Sequence, residues 1–161
     1  MEDQAPVSIA LHKLGIPHTV FHHPGQINSL EQAAQERSQR PEQIVRSILF
    51  RLSENEYLMV LVAGPKQISW KALRKQVGQS RLTMASEDEV LAVTGYRIGT
   101  VAPFGLPRPL RTWIEESVLK EEEISLGSGM RNVAVIMKSA DLRRALGGAE
   151  VVALVDETPV K

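Results

Sequence analysis

Val45-Arg46-Ser47-Ile48-Leu49-Phe50-Arg51-Leu52 is followed by the polar run Ser53-Glu54-Asn55-Glu56 and then by Tyr57-Leu58-Met59-Val60-Leu61-Val62-Ala63. Two apolar stretches rich in β-branched and aromatic residues, separated by a short polar link, read as the strands of a hairpin. Residues 58–62 contain no polar side chain, and the runs 133–137 and 151–155 are likewise apolar throughout. A strand of that kind is buried on both faces, so helices or a second layer of sheet must cover each side.

Working outward, Val7, Leu11 and Leu14 keep helical spacing up to the stop at Gly15, and residues 17–22 read as a short strand. Ser29 with Gln32 forms a capping box that opens a helix of about ten residues. Ser69 caps a helix that places Trp70, Leu73 and Val77 on one face and ends at Gly78. Ser86 with Glu89 is a second capping box, before a helix closing at Gly95. Further strands fall near 111–115, 124–126 and 132–137, and Ser139 caps a last helix. Helices and strands do not alternate strictly. The expected fold is therefore α+β, one domain over residues 1–161, with a mixed, curled, barrel-like sheet flanked by helices.

The chain has 161 residues, 43% hydrophobic and 24% charged, with no cysteine. A chain of that length buries roughly 70% of its unfolded surface and needs no metal or disulfide to hold it. Without cysteine there is no thiolate nucleophile and no thiolate metal site. No apolar run approaches the ~20 residues that span a bilayer, and the acidic start Met1-Glu2-Asp3-Gln4 lacks the basic-then-apolar order of a secretory signal. A cytoplasmic protein without membrane contact is the expectation. Net charge is zero, yet no acidic residue falls between Tyr57 and Ser86, where Lys66, Lys71, Arg74, Lys75 and Arg81 cluster. Such a patch is either a solvated helix face or a surface for nucleic acid.

Motifs for nucleotide binding, zinc hydrolysis and the serine nucleophile elbow are absent from the sequence. The histidines are His12, His18, His22 and His23; adjacent residues on a strand point to opposite faces, so the last two make a poor metal pair and read as loop and surface residues. Two features carry more. Arg46 shares parity with Ile48, Phe50 and Leu52, which aims a guanidinium toward the core side, where it must meet an acid or line a wet cleft. The stretch Thr94-Gly95-Tyr96-Arg97-Ile98-Gly99-Thr100-Val101-Ala102-Pro103-Phe104-Gly105 has the glycine density that lets backbone N–H groups approach a ligand and hold a developing oxyanion.

Taken in order, Leu14-Gly15, His23-Pro24, the helix 30–36, Gln43-Ile44-Val45-Arg46-Ser47-Ile48, Leu61-Val62-Ala63-Gly64, Met84-Ala85, Thr94-Gly95-Tyr96 with Gly99-x-x-x-Pro103, Ser128-Gly129 and Ala140-Asp141-Leu142 resemble the YbaK-like aminoacyl-tRNA deacylases. That family includes the editing domain of bacterial prolyl-tRNA synthetase, and the resemblance runs over residues 6–155. It implies a metal-free, cofactor-free hydrolase for the ester joining an amino acid to tRNA. Arg46, Gly99 and Pro103 would be catalytic, and His23, Thr100, Val101, Ala102, Ser128, Gly129 and Met130 would bind substrate. The cluster Lys66, Lys71, Arg74, Lys75 and Arg81 would then meet tRNA. Aminoacyl-tRNA is the implied partner, with an aminoacyl-tRNA synthetase as a second. Arg46 stands where the family usually has lysine, Glu115 where it often has aspartate, and Met130 where some members have lysine or histidine. Arginine is a permanently charged fork and no base. An alternative reading is therefore a catalytically weak module that binds aminoacyl-tRNA or a synthetase.

Overall fold

The hairpin forms as β2 (Val45–Ser53) and β3 (Glu56–Ala63), antiparallel, with Val45 opposite Ala63 and Phe50 opposite Leu58. Its turn places Asn55 at a φ of 63°, a left-handed value that asparagine tolerates. The structure is a computed structural model that describes residues 5–155. β4 (Thr83–Met84) pairs with β2, while β5 (Thr112–Glu115) joins β3 and β8 (Glu150–Val152) joins β5, both in parallel. The result is a five-stranded mixed sheet of order β4-β2-β3-β5-β8. A separate antiparallel sheet holds β1 (Thr19–His22), β7 (Val133–Lys138) and β6 (Glu123–Gly127) in the order β1-β7-β6.

The mixed α+β class holds, but the single curled, barrel-like sheet does not. There are two open sheets, joined among the described residues by one parallel bridge between Ile44 and Ser125. Strands of similar apolar content do not announce their partners. β1 finds β7 across more than a hundred residues, Thr19 facing Ile136.

Both faces of the hairpin are covered, as its composition requires. Val45, Leu49, Met59 and Leu61 pack toward Ile124, Leu126, Val135 and Met137 of the smaller sheet. The same core takes in Val7 and Leu11 of α1 (Pro6–Lys13), Val90 of α4 (Glu87–Thr94) and Leu142 of α5 (Ser139–Ala145). On the opposite face Phe50, Leu52, Leu58 and Val60 meet Leu73 of α3 (Trp70–Val77) and Trp113. A third, small cluster seats Ala33 and Ala34 of α2 (Leu30–Glu36) on Ile44, fixing the start of β2. Each large side chain so buried contributes about 1.5–3 kcal/mol.

Ser69 and Ser86 cap α3 and α4 as expected, and Gly78 and Gly95 end them in left-handed conformation. Other local expectations shift. Leu14 lies past the end of α1 and is exposed. Ser29 accepts from the Gln32 N–H, but the Gln32 side chain turns to the Asn28 N–H, so only half the box forms. Ser139 is the first helical residue rather than the cap, its hydroxyl donating to the Glu121 carbonyl. Residues 151–154 alternate, Val151 and Ala153 exposed and Val152 and Leu154 buried, so this segment, which begins in the edge strand β8, has one side covered and one open.

Candidate functional site

Ile44, the residue just before β2, bridges Ser125 in the middle of β6, and a cleft of about 210 Å³ opens beside that bridge. Val45, Arg46 and Ser47 form one wall, Leu126 and Gly127 the other. Gly99 and Val101 come in from the loop after α4, Met130 and Asn132 from the turn after β6, and Arg37 from the end of α2.

The loop is built by local chemistry. Arg97 to Thr100 make a four-residue turn, Thr100 donating from its N–H to the Arg97 carbonyl at 3.0 Å, and Gly99 at its third position has a φ of 88°. A positive φ at that position is what the second type of β-turn requires, and glycine supplies it without strain. Tyr96 is buried and its hydroxyl donates to the Phe104 carbonyl at 2.5 Å, tying the two ends of the loop together. Burial also raises the Tyr96 pKa, so the phenol keeps its proton. Tyr96→Phe should cost about 1–3 kcal/mol, since the Phe104 carbonyl then stays buried without its donor. A urea melt whose midpoint is unchanged would show that this bond contributes nothing.

On the other side the loop rests on Gly127. A methyl group built there would lie 2.5 Å from the Val101 carbonyl oxygen and 2.6 Å from that of Thr100. Gly127 has no left-handed backbone to explain it, so it is present for close approach alone. The Thr100 carbonyl also accepts the Gly129 N–H at 2.9 Å. Thr100 N–H is spent within the turn, while the N–H groups of Gly99 and Val101 carry no such bond among the described residues.

Arg46 follows the parity read from sequence, but that parity points to the α3 side of the sheet, because both faces are core. Its Nε donates to the Gly64 carbonyl at 2.9 Å, and its Nη2 donates to the Lys66 carbonyl. Among the described residues its partners are carbonyls, not a carboxylate. Burial lowers its pKa without threatening its charge at neutral pH.

His23 is no surface residue. Its ring is buried, with Nδ1 at 2.5 Å from Glu36 Oε1 and Nε2 accepting from Arg37 Nε at 2.9 Å. Since arginine only donates, Nε2 must be bare and the proton sits on Nδ1, pointing at Glu36. Hydrogen bonds from Gln32, then from His23, hold the Glu36 carboxyl below the usual carboxylate range. Arg37 Nη1 donates to Ser125 Oγ at 2.8 Å, and the Ser125 hydroxyl donates to Gln39. Burial pushes the Arg37 pKa down to about 10, which leaves it cationic at neutral pH.

Of the residues expected in the site, Arg46, Gly99, Val101 and Met130 line the cleft. Thr100, Ala102 and Ser128 are buried behind it, the Ser128 hydroxyl donating to the Val133 carbonyl and accepting the Met130 N–H. Gly129 lies against Tyr96 and Pro6. Pro103 lines a neighbouring groove with Leu106 and Leu110. Glu115 is fully enclosed and accepts the N–H groups of Ser117 and Leu154, a clip for the chain rather than part of the cleft. Lys66, Lys71, Arg74, Lys75 and Arg81 are all exposed, and the patch begins beside Arg46 through the Lys66 carbonyl. The cleft residues missed from sequence include Arg37, Ser47 and Gly127. A basic residue closing a short helix reads as a response to the helix dipole, and a glycine ahead of Ser-Gly reads as a turn.

A family model for the aminoacyl-tRNA editing domain matches residues 24–145. The uncharacterized protein YwhH of Bacillus subtilis (strain 168) is 30% identical over 114 residues, covering 71% of this chain and 72% of that protein. The multifunctional Ser/Thr-tRNA deacylase ProXp-y of Escherichia coli (strain K12) is 29% identical over 91 residues, 56% of this chain and 54% of its own length. The chain spans only 14–19% of the length of the proline–tRNA ligases that it matches. The crystal structure of a "putative trans-editing enzyme for prolyl tRNA synthetase" superposes with a TM-score of 0.86 at 28% identity, covering 97% of this chain and 99% of that one. With the family model matching most of its length, this chain belongs to the aminoacyl-tRNA editing domain family.

Proposed function

We propose that residues 1–161 form one editing module that hydrolyses, in trans, the ester between a wrongly attached amino acid and the 3′ end of its tRNA. The observation that carries this reading is the meeting of Arg46 with the Gly99–Val101 backbone on one small cleft. Water adds to the ester carbonyl carbon, negative charge collects on the carbonyl oxygen, and the ribose oxygen leaves with a proton from solvent. The N–H groups of Gly99 and Val101 are available to that oxygen. Arg46 and the loop supply charge and orientation; no carboxylate or imidazole is among the side chains lining the cleft, so neither is cast as a base. The small volume suits sorting by size, where one methylene is worth only about 1–3 kcal/mol. Pro103 then acts by shaping the loop, and His23, Thr100, Ala102, Ser128 and Gly129 by supporting the cleft from behind.

A panel of mischarged tRNAs tests the proposal: at least one should lose its amino acid well above the buffer rate. The tethering of Arg46 to two carbonyls favours a second reading, a catalytically weak aminoacyl-tRNA-binding module. Tight binding without turnover across the whole panel would establish it.

The exposed patch of Lys66, Lys71, Arg74, Lys75 and Arg81 is assigned to tRNA phosphates. α3 presents Lys71, Arg74 and Lys75 at helical spacing of three and four, one face of the helix, with Leu73 buried on the other. Replacing these three with alanine should weaken tRNA binding and reduce the salt slope by about 0.7–0.9 for each phosphate that is no longer neutralised. An unchanged slope would return the patch to an ordinary solvated face.

A further inference from the structure

Arg37 is a cation in an unusual position. Its hydrogen-bond partners among the described residues, His23 and Ser125, are both neutral, and the adjacent Glu36 acts on it through charge without a direct hydrogen bond. Two of its five N–H donors are used in these bonds, and its side chain lines the cleft. A guanidinium kept partly out of water with donors to spare is costly unless a ligand uses them. A second observation points the same way. Ser47 lines the same cleft, and its hydroxyl is the one buried side-chain polar group without a hydrogen-bond partner among the described residues.

The cleft also has a direction. Gly99 is exposed and Arg46 reaches the exposed Lys66 segment, whereas Arg37 is anchored to His23 and to Ser125, both buried. A polyanionic RNA end can occupy only the open side. The group that reaches Arg37 and Ser47 is then the amino-acid side chain. We infer that Arg37 and Ser47 form a specificity subsite for an aminoacyl side chain ending in an acceptor oxygen, a hydroxyl or a carboxylate. The inference rests on the proposed placement of an aminoacyl ester in this cleft. Size alone cannot produce this preference, because alanine is smaller than serine or aspartate and enters any cleft that admits them. An alkyl side chain instead displaces water from Arg37 and Ser47 and returns nothing.

The test is binding of three stable amides of 3′-amino-3′-deoxyadenosine, carrying serine, aspartate or alanine, measured by calorimetry on the full chain. The seryl or the aspartyl amide should bind about 10- to 100-fold more tightly than the alanyl one, the range of a hydrogen bond to a charged group. Which of the two leads identifies a hydroxyl or a carboxylate. Arg37→Leu should remove the preference while leaving alanyl binding in place. Ser47→Ala should reduce it without loss of melting temperature, because that hydroxyl makes no bond in the free protein. Equal binding of all three amides by the parent chain would overturn the inference. So would a uniform loss in both variants, which is the mark of a structural role. Hydrolysis of the corresponding esters is scored separately: a binding preference without turnover removes the proposed reaction and leaves the subsite standing.

Discussion

Gly127→Ala should fold and lose about 100-fold or more in kcat/KM for deacylation, the cost of misplacing a reacting group by about 1 Å. The added methyl group meets the carbonyl oxygens of Val101 and Thr100 at 2.5 and 2.6 Å, with the Thr100 carbonyl carbon at 2.7 Å. These are backbone atoms, so no side chain can swing aside to relieve the crowding. The loop itself must move. Its far end is held by the Tyr96–Phe104 bond, so the shift concentrates at residues 99–101, where the loop lines the cleft. Gly127 lies at the end of β6 opposite Ala134, with a backbone that alanine can adopt, so the fold should tolerate the change. Gly99 behaves differently. A methyl group there meets nothing within 4 Å, and the penalty comes from its φ of 88°, about 1–2 kcal/mol for a left-handed non-glycine residue. Gly99→Val therefore disturbs the turn by backbone strain and not by filling the cleft. A folded Gly127→Ala protein with the parent kcat/KM would show that the position of the loop has no bearing on the reaction.

The sequence carried local structure further than it carried pairing. The hairpin of β2 and β3 was readable because its partners are adjacent and its polar link is short. Ser69, Ser86, Gly78 and Gly95 were readable because caps act within one turn of chain. The division into two sheets was not, since it depends on β1 meeting β7 and β6 lying beside β2, contacts that no local pattern encodes. The close approach of Gly127 to the Thr100–Val101 backbone is of the same long-range kind. In the site, Arg46, Gly99, Val101 and Met130 line the cleft, and Arg46 keeps the parity read for it, although that parity points to the α3 side. The parity argument assumed one buried face, and this sheet has two. Arg37 and Ser47 have ordinary sequence neighbours, and only the cleft they both line gives them meaning.

Arg46→Ala should lose about 100- to 1,000-fold in deacylation rate, the usual cost of removing one well-placed donor from a developing oxyanion, while losing little stability. The stability side follows from its partners. Were Arg46 half of a buried ion pair, its removal would strand an acid and cost about 3–5 kcal/mol. Instead it donates to the carbonyls of Gly64 and Lys66. Lys66 is exposed, so water replaces the guanidinium there, and the loss should be near 1 kcal/mol for one unreplaced hydrogen bond. Arg46→Lys separates charge from geometry. Lysine keeps the cation but, as a compact point charge, cannot span two carbonyls and present a further N–H at once. If the arginine serves through charge at the cleft mouth, the lysine variant should recover a large part of the rate. If the planar fork matters, it should stay near the alanine level while melting like the parent. Both variants are to be compared as activity per folded molecule beside their thermal melts. A steep drop in melting temperature for Arg46→Ala with undiminished activity per folded molecule would end the catalytic assignment, leaving Arg46 as a brace between the start of β2 and the segment that leads into α3.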